Sequence, residues 1–123
     1  MPVLQAGLAG INSLIRQRIS REIGLLRQPN GAFWVPVCKA MELAAREMIA
    51  ARLGRQEADG TADTALSGFN AALGNEVERL GITSETERRL QGLVYNTARA
   101  GLAALVPAVV TAIEQQTRNT EVG

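Results

Sequence analysis

The sequence predicts an all-α fold: a basic N-terminal helical hairpin followed by a helical bundle, about five helices in all, with a body like a four-helix bundle. Three observations predict it. Apolar residues at Leu4, Leu8, Ile11, Ile15, Ile19, Ile23 and Leu26 recur every three or four positions, which is one stripe of an α-helix. The stretch Gln28-Pro29-Asn30-Gly31-Ala32-Phe33-Trp34-Val35-Pro36 then breaks that helix, because Pro29 has no amide proton and a fixed φ. Farther on, Leu80-Gly81-Ile82 followed by Ser84 and Glu87 reads as one helix stopping and another starting.

The first helix is expected over residues 4–26, roughly 35 Å at the usual rise. Its opposite face holds Ala6, Gly10, Ser13, Gln17, Ser20, Arg21 and Gly24, with Arg16 and Arg27 at the edge. Small side chains there admit either a packed helix or a phosphate backbone. In the turn, Asn30 and Gly31 suit left-handed backbone, and Pro36 suits the first turn of a second helix over residues 37–53. That helix sets Val37, Met41, Ala44, Ala45, Met48 and Ala51 on one face.

Residues 54–64 are linker-like, and Thr61 or Asp63 can cap a third helix burying Leu66, Phe69, Leu73, Val77 and Leu80. Gly81 fits the left-handed position after its end. Ser84 and Glu87 form a capping box, so a fourth helix starts near Glu85 and runs until Pro107 ends or kinks it. Residues 108–116 make a short apolar fifth helix, and the polar tail from Thr117 is expected to fray. The division is an arm over residues 1–56 and a body over residues 57–123, within one folding unit of 123 residues.

Charge is unevenly distributed along the chain. Residues 1–58 carry eight basic groups and four acids, a net +4, whereas residues 59–123 carry five and eight, a net −3. Twelve of the thirteen basic residues are arginine, whose planar fork matches phosphate oxygens and stays charged when desolvated. The basic half therefore suits a polyanion. The candidate contacts, chosen by charge and position, are Arg16, Arg18, Arg21, Arg27, Lys39, Arg46, Arg52 and Arg55.

The chemistry of enzymes is missing from the sequence. Histidine is absent, so the usual general base and commonest metal ligand are lost. The single Cys38 excludes an internal disulfide and reads as a small buried residue. No phosphate loop, nucleophile elbow or metal-ligand cluster occurs, so neither enzyme activity nor a metal or cofactor is expected. The uncharged residues 100–113 are too short to span a bilayer if Pro107 breaks them, so membrane contact is not expected.

Leu80-Gly81-Ile82-Thr83, then Leu90-Gln91-Gly92-Leu93-Val94 and Ala98-Arg99-Ala100, resemble the C-terminal half of one group of proteins. These are the major coat proteins of rod-shaped and filamentous archaeal viruses, of the rudivirus, lipothrixvirus and tristromavirus type. The resemblance implies a four-helix body and an N-terminal arm that wraps linear double-stranded DNA held in the A form. It also implies dimers, of the chain with itself or with a paralogous coat subunit, stacked in a helical filament. The expected function is a virion coat protein packaging DNA without sequence preference, located in the virion and, during assembly, in the host cytoplasm. A helical adaptor or scaffold that binds only protein is the alternative.

Overall fold

The computed structural model describes residues 2–23, 29–54 and 60–122, with side chains through Asn119. The described residues form four α-helices: α1 Pro2–Glu22, α2 Gly31–Leu53, α3 Thr61–Glu78 and α4 Ser84–Val122. The all-α class holds, but two prolines sit differently from the sequence expectation. α2 starts at Gly31, six residues before Val37, and carries Pro36 inside it. Asn30 is its N-cap in extended backbone, its Oδ1 accepting from the Ala32 amide at 3.0 Å, and Gly31 is helical rather than left-handed.

The second proline, Pro107, lies inside a continuous α4, so the short fifth helix merges with the fourth. Val106 and Val109 on either side of it are buried, and that packing holds the helix together across the missing hydrogen bond. The unbroken stretch Ser84–Asn119 is long and apolar enough, by length and composition, to cross a bilayer. Its residues Leu90, Val94, Ala98, Leu102, Val106 and Val109 belong to the core of the bundle.

The expectation comes closest around the α3–α4 junction: α3 ends at Glu78, two residues before Leu80, and α4 starts at Ser84, one before Glu85. Gly60, left-handed at φ 72°, precedes α3 in place of a Thr61 or Asp63 cap. Gly81 takes the expected left-handed backbone at φ 67°. Thr83, one position before the expected Ser84, caps α4: its Oγ1 accepts from the Thr86 amide at 3.3 Å.

One core draws on all four helices. α2 packs most extensively on α3, whereas α1 lies along α4 and barely meets α2. The expected N-terminal hairpin is thus divided, its two helices finding their main partners in the C-terminal half. α1 and α4 run antiparallel: Gly7 sits against Leu105, Ile11 against Gly101 and Arg18 against Thr97. A Cβ on Gly101 would lie 2.6 Å from Ile11 Cγ1, so the two backbones approach through these glycines.

Candidate nucleic-acid interface

Helix geometry divides the eight nominated residues among separate places. Arg16, Arg18 and Arg21 lie within two turns at the C-terminal end of α1. Lys39, Arg46 and Arg52 are spread along α2, and eighteen residues separate Trp34 from Arg52, roughly 27 Å of helix. Arg27 and Arg55 fall outside the described residues. The described candidates therefore do not form one patch.

At the α1 end, two of the three guanidinium groups have structural partners. Arg18 donates through Nε to Glu22 Oε2 at 2.8 Å and through Nη1 to Thr97 Oγ1 at 2.8 Å. Thr97 is only 4% exposed, so Arg18 satisfies a buried hydroxyl on α4. The Glu22 carboxyl is held below its ordinary value, chiefly by the hydrogen bond from Arg18. Arg16 stacks over Trp34, its guanidinium carbon 4.6 Å from the ring centroid. Trp34 is fixed in turn by Phe33, edge-on at 4.9 Å, and by its Nε1 donating to the Pro29 carbonyl at 2.7 Å.

Charge-based reading by sequence halves missed Arg89. Its Nη2 donates to the Glu22 carbonyl at 2.8 Å, so an arginine of the acidic half caps the end of α1. Nothing in the local sequence marks this, because it depends on the antiparallel register of α1 and α4. Arg16, Arg21 and Arg89 are exposed there, whereas Arg88 faces a polar groove between α3 and α4 shared with Glu78 and Glu87. Positive charge is thus concentrated at the α1 side of this end.

The α2 candidates have a different setting. Lys39 lines an open cleft of about 250 Å³ between α1 and α2, with Asn12, Cys38 and Glu42 also on its wall. Gln5 Nε2 bridges this cleft to Glu42 Oε1 at 2.6 Å, and Arg46 pairs with the same oxygen at 3.4 Å. Burial pushes the Cys38 thiol up, and the charge of Arg16 pulls it the other way. Arg52 borders a smaller cleft with Met48 and Thr61. Among the described residues, no three His, Cys, Asp or Glu side chains converge as a metal site would require.

The chain matches no family model, no curated protein and no solved structure.

Proposed function

We propose that the protein is a structural subunit of a DNA-containing assembly, neutralising duplex phosphates through the α1 end that carries Arg16, Arg21 and Arg89. One observation carries this reading: charge is segregated along α1. The helix has no charged side chain before Arg16, then three arginines within six residues. Exposed arginine forks from two helices suit phosphate oxygens, while no helix offers a compact set of side chains for reading base edges. Contact is therefore with the DNA backbone and independent of sequence. The fuller form of the proposal follows the resemblance quoted above: a coat protein of a rod-shaped or filamentous archaeal virus, wrapping linear duplex DNA as a dimer in a filament.

Electron microscopy and gel shift with unrelated linear duplexes test it. Replacing Arg16, Arg21 and Arg89 with Gln should flatten the slope of log K against log salt by about 0.9 for each lost phosphate contact. Replacing Lys39, Arg46 and Arg52 removes the same charge and should leave most of the slope. Equal losses would reduce the effect to net charge, and strong preference for one duplex would sink the reading.

A second reading is favoured by α2, where Leu43 is 60% exposed and Val35 and Leu53, two to three turns away on either side, are exposed as well. Such a face suits a protein-binding adaptor or scaffold. Ordered assemblies that form equally well without DNA, together with no gel shift, would favour it.

A further inference from the structure

α1 and α2 are neighbours in sequence yet barely touch, and the cleft of about 250 Å³ between them stays open. Buried Leu8 and Met41 give it an apolar floor, around which stand Gln5, Asn12, Lys39 and Glu42. Asn12 Oδ1 is buried and accepts no hydrogen bond, the one such side-chain atom among the described residues. An unpaired buried carbonyl costs stability. Asn12 is half-buried beside Ile11 and one turn from Leu8 and Ile15, so a leucine there would extend the apolar stripe without that cost. The other end of the amide, Nδ2, stays accessible on the cleft wall and donates to nothing among the described residues.

Lys39 is exposed on the same wall, and none of the described carboxylates pairs with it. Glu42, one turn along α2, is engaged instead by Gln5 at 2.6 Å and by Arg46 at 3.4 Å. Glu47, the other acid of α2, is not on the wall. Lys39 and Arg46 thus stand against Glu42 alone, and the charge of Arg16 reaches Cys38 on the same wall. The cleft offers donors and a positive surplus above an apolar floor.

We propose that the α1–α2 cleft binds a small monocarboxylate with a short apolar chain. Lys39 supplies the ammonium and Asn12 Nδ2 a second donor for the carboxylate, while the chain lies on Leu8 and Met41. One negative charge is favoured over two, because Glu42 repels a second. A phosphate suits the cleft less well, since it carries up to two charges and no body for the apolar floor. At about 30 Å³ for each water-sized group, the cleft holds roughly eight non-hydrogen atoms, the size of hexanoate. The site takes none of Arg16, Arg21 and Arg89 as a ligand, so it goes beyond the DNA reading and stands or falls separately from it.

Titration of the full chain with hexanoate, followed in amide NMR spectra, tests the proposal. Saturable shifts at the Asn12 side-chain amide and around Cys38 are expected, with a dissociation constant on the order of 1 mM for so small a ligand. Bound hexanoate should also slow maleimide alkylation of Cys38, which is half-buried in the cleft. Lys39→Gln should weaken binding about tenfold or more, the scale of a hydrogen bond to a charged group. Hexanamide, with the same shape and no charge, should fail to saturate. Asn12→Leu should bind hexanoate more weakly yet melt at a higher temperature than the wild type, because the unpaired oxygen is gone. If Asn12→Leu does not fold, Lys39→Gln, at an exposed position, still decides. No saturation in the wild type, equal affinity in Lys39→Gln, or hexanamide binding as well as hexanoate overturns the assignment. Tighter binding of N-acetylglycylleucine also overturns it, by showing that the cleft holds the carboxyl ends of chains rather than free acids.

Discussion

Arg18 on α1 and Thr97 on α4 are joined by a 2.8 Å hydrogen bond that ties the first helix to the last, seventy-nine residues apart in the chain. The same guanidinium holds Glu22, so Arg18 acts as a clip between helices rather than as an idle surface charge. Arg18→Gln should therefore lower the melting temperature, while Arg21→Gln, one turn on, should leave it nearly unchanged. Differential scanning calorimetry of the two variants checks this.

The clip has a pH signature. Glu22 is held below its ordinary value by Arg18, so its ionised form is favoured in the folded chain. Its contribution is complete above the ordinary carboxylate range and is lost as pH falls through the depressed folded value. Melting temperature followed from neutral to acid pH should fall less steeply in Glu22→Gln than in the wild type. Parallel curves would show that the pair contributes nothing.

Two glycines should respond oppositely to the same substitution. At Gly101 the added methyl meets Ile11, whose branched side chain is stiff and whose buried setting leaves little room. Gly101→Ala should destabilise by about 1–2 kcal/mol, as overpacking does. Gly68, inside α3, has open space where a methyl would sit, and should gain about 0.5–1 kcal/mol as alanine. Urea titrations of both variants give the signs directly.

Pro107 makes a further test. It occupies the interior of α4 at a position where the helix continues regardless. Pro107→Ala restores one amide donor and should raise stability by about 1–3 kcal/mol, with unchanged helix content by circular dichroism. A loss of stability would mean that the ring itself is needed by its neighbours.

Trp34 anchors the start of α2. Trp34→Phe removes the donor to the Pro29 carbonyl and weakens the platform under Arg16, and should cost about 1–2 kcal/mol. Asn30→Ala removes the cap bond to Ala32 and should cost about 1 kcal/mol. Chemical denaturation monitored by circular dichroism serves for both.

What the sequence made legible follows from what periodicity encodes. Leu4, Leu8, Ile11, Ile15 and Ile19 were readable as a buried stripe because spacing alone defines a face. The partner of that stripe was not readable: a stripe says which side is covered and not by what, so α4 in place of α2 came only with the fold. Gly81 was readable because few residues tolerate its backbone. Pro36 and Pro107 misled because local cost was weighed without the packing of Trp34, Val37, Val106 and Val109 around them. The site was harder still. Net charge by halves set Arg89 among the acids, while folding brings it to the end of α1. Arg18 looked available from sequence, and a buried threonine seventy-nine positions away engages it.

The pairing of α1 with α4 also sets the order in which the chain can complete itself. α1 is synthesised before α2 and α3, yet its main partner, α4, follows both. At about 5–20 residues per second, the apolar stripe from Leu4 to Ile19 waits several seconds on the ribosome before Thr97, Gly101 and Leu105 exist to cover it. α2 and α3, neighbours in sequence, meet without that delay. The nascent chain therefore carries α1 greasy and uncovered while α2 and α3 are made, and its yield in a cell depends on what shields that helix in the interval.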